Sequence, residues 1–200
     1  MASCAMAKNS SPPRQPVDKR RACALLHPIS MTAQGNAIVT DVTVSTLPSA
    51  PLWAFEIWNN PDAVATRFAA AAGFALPEMG TSGGSDALRL IRYEPTVWLV
   101  EGDASALPSI LDNDGALTAI GGGVTRVLMS GRGWRRLLME GGVFDAESPA
   151  FAVGSSAATI IDHVNIRLLV LSEDACLAYV PLSYAQGILH FWQEAAKALD

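Results

Sequence analysis

Charged residues, cysteine and histidine are all scarce in this sequence, and each shortage excludes something. Only 16% of the 200 residues are charged, against the roughly 25–35% aimed for on the surface of a freely soluble small domain. Half are apolar, and five are tryptophan. Either a partner covers part of the surface, or the chain packs a dense, alanine-rich core. The formal net charge of −5 argues against general nucleic-acid binding, which needs a basic face to neutralise phosphates. No apolar run reaches the ~18 residues a membrane-spanning helix requires; the longest, residues 68–76, is short and contains Gly73. Cys4, Cys23 and Cys176 have neither paired nor metal-ligand spacing, which excludes a disulfide framework and a zinc site. A reducing, cytoplasmic location is expected, with Cys176 a small buried side chain in a strand.

Residues 1–30 differ from the rest of the chain. Lys8, Arg14, Lys19, Arg20 and Arg21 are opposed only by Asp18, and Pro12, Pro13 and Pro16 prevent a continuous helix. A disordered tail is expected there, and Met31 is a second candidate start. Residues 37–47 alternate partly and predict an edge strand or extended arm, interrupted by Pro48 and Pro51.

The remaining chain predicts an α+β protein with mainly antiparallel sheets, built from two related strand-helix-strand-strand-helix halves at residues 31–118 and 119–200. In the first half, residues 52–58 form a strand. Asn59 or Asn60 then caps a helix with Pro61 in its first turn, Val64, Phe68 and Ala71 or Ala72 on one face, and Gly73 at its end. Residues 77–85 read as a flexible loop, 87–93 and 96–100 as strands, and 101–103 as a turn. A short helix occupies 104–111, and a strand 117–120. In the second half, 124–130 is a strand, 134–140 a helix, 157–171 two strands and 176–182 another. Ser183 and Gln186 have capping-box spacing at the start of the last helix, whose apolar stripe is Tyr184, Ile188, Phe191 or Trp192, and Ala195.

Few residues offer chemistry. His27, His163 and His190 are the three histidines, and no pair of them has ligand spacing. Asp162-His163 would join a base to its orienter, but adjacent residues on a strand face opposite ways. His190 is expected to be partly buried beside the apolar stripe. Ser130 and Ser183 precede helices without a nucleophile elbow; Ser155 and Ser156 come after Gly154 in a loop without a base; Asp145 and Glu147 have no paired acid. Arg132, Arg135 and Arg136 form the basic cluster of the chain, at a helix start. It reads either as a solvated helix face or as a site for an anion or a partner's acidic patch. These residues assign no catalytic, cofactor-binding or metal-ligating position.

Three stretches carry a family resemblance. The segment from Val127 to Leu138, with Ser130-Gly131-Arg132-Gly133 at its centre, resembles a strand, Ser-Gly-Pro-Gly, helix unit. Val143-Phe144-Asp145, Phe151-Ala152-Val153-Gly154 and Ala157-Ala158-Thr159 come next, in the same order as in that family. Tyr179-Val180-Pro181-Leu182-Ser183-Tyr184-Ala185 resembles its Val-Pro-Arg-Ser-Tyr-Ala corner. Arg132 stands where proline is common, and Leu182 where arginine is common. The family is that of the gamma subunits of heterotetrameric sarcosine oxidases, which are similar to the folate-binding domains of aminomethyltransferases. The resemblance implies a non-catalytic subunit of an enzyme complex that oxidatively demethylates sarcosine to glycine, in sarcosine catabolism and one-carbon metabolism. It implies alpha, beta and delta partner subunits, with FAD, FMN, NAD, tetrahydrofolate and zinc held by those partners and none by this chain. The alternatives are a stand-alone folate-binding aminomethyltransferase-like protein and a small-molecule-binding regulatory module.

Overall fold

The computed structural model describes residues 42–199. The expectations for residues 1–30 and for the start of the arm at 37, together with Cys4, Cys23 and His27, lie outside the described residues.

In chain order the first elements are β1 (Thr43–Thr46), β2 (Leu52–Ile57), α1 (Pro61–Ala72), β3 (Ser82–Gly84), β4 (Leu88–Arg92), β5 (Val97–Gly102) and α2 (Leu107–Leu111). The same sequence of types then recurs: β6 (Gly115–Ala119), β7 (Val124–Ser130), α3 (Trp134–Met139), β8 (Ser156–Ile161), β9 (Val164–Ser172), β10 (Ala175–Pro181) and α4 (Ala185–Leu199). Two five-stranded sheets result, in the orders β3-β4-β5-β2-β6 and β8-β9-β10-β7-β1, with every strand pairing antiparallel. The two orders match strand for strand if the leading strands change places. β1 pairs with β7, and β6 pairs with β2. Each unit's leading strand is therefore the edge of the other unit's sheet.

The layers arise from side-chain alternation. On β2, Phe55 and Ile57 face one way and are buried with Val64 and Phe68 of α1 and Leu107, Ile110 and Leu111 of α2. On β7, Val127 and Met129 are buried with Trp134, Leu137 and Leu138 of α3 and Ile188 and Trp192 of α4. The opposite faces meet between the sheets, where Leu52, Ile91, Tyr93 and Leu99 pack with Leu169, Leu177 and Tyr179. The stack is thus helices, sheet, sheet, helices. Trp98 and Leu99 give β5 two apolar faces: one enters the helix-side core and the other the inter-sheet core.

Several local expectations need correction. Residues 77–85 are not all loop, since Ser82–Gly84 pairs with β4 and supplies a third strand after α1. The apolar pattern is missing there because the strand is Ser-Gly-Gly and gains its place from the backbone ladder. Glu101 is not in a turn; β5 runs on to Gly102. The strand expected at 117–120 spans Gly115–Ala119, and the helix expected at 104–111 is only Leu107–Leu111. Asn60 precedes α1 in a left-handed conformation without a side-chain cap; its amide instead donates to Asp114 Oδ1 at 2.8 Å. Gly73 ends α1 as expected, at φ 79°, where a Cβ would be strained. Ser183 lies in a 3-10 turn, Leu182–Tyr184, ahead of α4. The buried stripe of α4 is Ala185, Ile188, Trp192 and Ala196, while Tyr184 is exposed because that turn points it away from the helix face.

Candidate functional site

Between the two sheets an open cavity of about 600 Å3 lies within the usual size range for small-molecule sites. Glu94 and Leu99 line it from the first unit, and Thr159, Asn165, Arg167 and Tyr179 from the second. Glu94 lies just after β4, and the antiparallel stacking brings it against β9. There Arg167 Nη2 donates to Glu94 Oε1 at 2.9 Å, and the guanidinium lies 5.7 Å from the centroid of the Tyr93 ring. Both members of this ion pair are solvated, so it is worth at most about 1 kcal/mol and yields readily to a ligand anion. The Tyr93 hydroxyl donates to Leu168 O at 3.3 Å.

Deeper between the sheets, Glu101 accepts from Arg126 on one oxygen and from the Tyr179 hydroxyl, at 2.9 Å, on the other. Arg126 also donates to Pro48 O, and its Nε has no partner. Burial pushes the Tyr179 phenol far up, reinforced by Tyr93 and Glu101. Burial raises the Tyr93 phenol too, against a smaller opposing effect of Arg167. Both tyrosines are hydrogen-bond donors at neutral pH. The cavity wall thus combines the apolar face of Leu99 with the Glu94–Arg167 ion pair and the Tyr179 ring.

The residues nominated from the sequence lie elsewhere and do not converge. Arg135 is held by Ala146 O at 2.7 Å and Phe151 O at 2.8 Å, 4.3 Å from the Trp134 ring centroid. It braces the loop after α3. Arg132 and Arg136 point to solvent, so the three arginines form no common pocket. Asp162 and His163 are not on a strand. They are the two residues of the β8–β9 hairpin turn, with φ 45° and 66°, a pairing of positive φ values that suits a type I′ turn. His190 is exposed rather than partly buried, because the helix turns it away from Trp192. Ser130 ends β7 between Thr43 and Ala175. Ser155 Oγ donates to Ala150 O, and buried Ser156 donates to Arg92 O at 3.2 Å, stitching the outer edges of the two sheets. Asp145 accepts from the Glu147 amide at 3.0 Å. Cys176 is buried, and that burial pushes its thiol up to about 12. Among the described residues, no group of three histidine, cysteine or acidic side chains is arranged to hold a metal, and no helix is long and apolar enough to cross a membrane.

Glu94, Glu101, Arg126 and Arg167 were not singled out from the sequence, and Tyr179 only as part of the corner motif. The available signal was a charge inside an apolar strand, as in Leu-Val-Glu and Thr-Arg-Val, which has to be paired if that face is covered.

Two stacked antiparallel sheets with helices on their outer faces, related by an internal repeat, make up an α+β architecture shared with two solved structures. A chain of the heterotetrameric sarcosine oxidase from Corynebacterium sp. U-96, solved in complex with pyrrole 2-carboxylate, matches with a TM-score of 0.71 at 16% identity, covering 79% of this chain and 85% of that one. The glycine cleavage system aminomethyltransferase T from Bartonella henselae matches with a TM-score of 0.55 at 15% identity. That match covers 78% of this chain and 47% of the aminomethyltransferase, so this chain spans about half of it. No family model and no curated protein matches the sequence. At these identities the likeness establishes the fold.

Proposed function

We propose that this chain is a non-catalytic subunit of a sarcosine oxidase-type complex that oxidatively demethylates sarcosine. The observation that carries the reading is the co-extensive match to a chain of such an enzyme, over 79% of this chain and 85% of the other. The low share of charged residues fits a chain whose surface is partly covered by partners. In this reading FAD, FMN, NAD, tetrahydrofolate and zinc belong to alpha, beta and delta partners. Fold alone does not assign activity, so the test is biochemical. The chain, isolated from its host with whatever it binds, is expected to bring down two large partners and one small one, with flavin absorbance. A colourless chain without partners would sink the subunit reading.

The inter-sheet cavity favours a second reading, a folate-binding aminomethyltransferase-like protein. Leu99 and Tyr179 offer an apolar wall for a planar ring, and Arg167 offers a cation for an acidic tail. Tetrahydrofolate titrated calorimetrically into the isolated chain separates the two: binding that Arg167→Ala weakens supports this second reading.

A further inference from the structure

Each sheet ends in two edge strands, and among the described residues three of these edges are guarded. The outer strands β3 and β8 are stitched to loops of the opposite unit: the Ser82 amide donates to Gly154 O at 2.9 Å, and the Ser156 amide to Gly80 O at 2.8 Å. At its other end β8 is pinned by Asp162, whose amide donates to Gly141 O at 3.1 Å. β1 is four residues long and lies against α4. β6 is the remaining edge. Charge, proline and bulges are the usual devices that keep an edge strand from pairing further. The sequence of β6, Gly-Ala-Leu-Thr-Ala, has neither charge nor proline, and its register with β2 is regular.

The hydrogen bonds flanking this strand fix which backbone groups it leaves over. The Trp58 amide donates to Asp114 O at 2.7 Å, and the Ile120 amide to Leu52 O at 2.9 Å. Bonded and non-bonded pairs alternate in an antiparallel ladder. Ala116 and Thr118 therefore also turn their backbone groups to β2, opposite Glu56 and Ala54. Gly115, Leu117 and Ala119 turn theirs outward, and among the described residues nothing bonds to them. Every second residue thus offers one N–H and one C=O at strand spacing, a template for another strand.

We infer that this edge pairs antiparallel with the same edge of a second copy of the chain, about a two-fold axis at Leu117, so that two first-unit sheets become one. A second copy is the indicated occupant because the edge is self-complementary, as a two-fold interface requires. About that axis Leu117 faces its own counterpart, Gly115 faces Ala119 and Ala116 faces Thr118, so each outward donor meets an outward acceptor. The side chains brought together are small or apolar, and the Leu117 pair prolongs the core that this residue joins with α1 and α2. The acidic end of each strand, with Asp112 and Asp114, comes opposite Gly122 and Ile120. The net charge of −5 therefore sets no like charges against one another along the strand. The inference does not rest on the subunit reading above.

Sedimentation of the full chain at about 1 to 100 μM is expected to show a reversible monomer–dimer equilibrium. Ala119→Pro removes an outward N–H and leaves the bonds to β2 in place, since proline is tolerated on the free side of an edge strand. It should weaken the dimer at least about tenfold, through the two hydrogen bonds it deletes, with an unchanged circular dichroism spectrum. Register is read by cysteine substitution in a chain carrying Cys4→Ser and Cys23→Ser, Cys176 being buried. Leu117→Cys sets the two new residues about 5.5 Å apart at Cα, within disulfide reach, and mild oxidation is expected to give a covalent dimer. Ala119→Cys sets them roughly 14 Å apart along the strands, and should give none. The two cysteine variants decide the matter if Ala119→Pro fails to fold. Three results would overturn the inference: a chain that stays monomeric across the whole range, a folded Ala119→Pro variant that dimerises as well as the original, or equal cross-linking of both cysteine variants. A monomer that still brings down flavin-bearing partners would remove this inference and leave the subunit reading standing.

Discussion

Two buried tyrosines give the inter-sheet layer a titration signature. The phenols of Tyr93 and Tyr179 are both raised, chiefly by burial, while in the unfolded chain a tyrosine ionises near pH ~10. The native state therefore holds its protons where the unfolded state releases them. Their contribution to stability is complete below about pH 10 and is lost as pH rises above it. The expected outcome is a melting temperature that falls steeply above that pH, with the phenolate absorbance of these two residues appearing only as tertiary structure is lost. Tyr179→Phe should make the fall shallower. Phenolate signal from Tyr179 in a fully native spectrum would contradict the burial assigned to it. None of this was visible in residue types, because a tyrosine on an alternating strand has the same sequence signature whether its ring faces water or another sheet.

At the scale of elements, the helices and the long strands were legible and the edges were not. Phe68 on α1 and Trp192 on α4 are fully buried because apolar residues recur at helical spacing there, and that spacing is local information. β3 and the end of β5 were missed because ladder partners, not side chains, define them. The exchange of leading strands matters most for how the elements depend on one another. Val44 of β1 is 8% exposed and belongs to the core of the second unit. Val44→Asp is expected to destabilise by about 3 kcal/mol, as for a charge forced into an apolar site. Hydrogen exchange should show amides of β7, β10 and α4 losing protection before those of β2 and β5. Earlier loss in β2 and β5 would mean that the exchanged edge strand does not govern its host sheet.

For the whole molecule, the Glu101–Arg126–Tyr179 cluster connects β5 of one unit to β7 and β10 of the other. The side chains of Glu101 and Arg126 are 13% and 15% exposed, so neither charge is well solvated without its partner. Glu101→Leu is expected to cost roughly 3 kcal/mol, the low end for removing one member of a buried pair, seen as a lower urea midpoint. Glu101→Gln keeps an acceptor and should cost less. An unchanged midpoint in the leucine variant would show that the sheets are held together by their apolar contacts alone. The same stacking creates the cavity beside Arg167, which arises from how the units meet and not from any motif.

Apolar periodicity, turn residues and strand alternation determined the α+β class, most helices and the paired units, because each depends on side chains within a few positions of one another. Only the tertiary structure decided which unit each edge strand completes, that Glu101 and Arg126 face each other across the sheets, and that the arginines after Ser130 serve separate roles. The physical reason is distance along the chain. The Glu101–Arg126 pair and the Thr43–Ser130 ladder contact join residues 25 and 87 positions apart, and no local pattern records which partner closes such a gap.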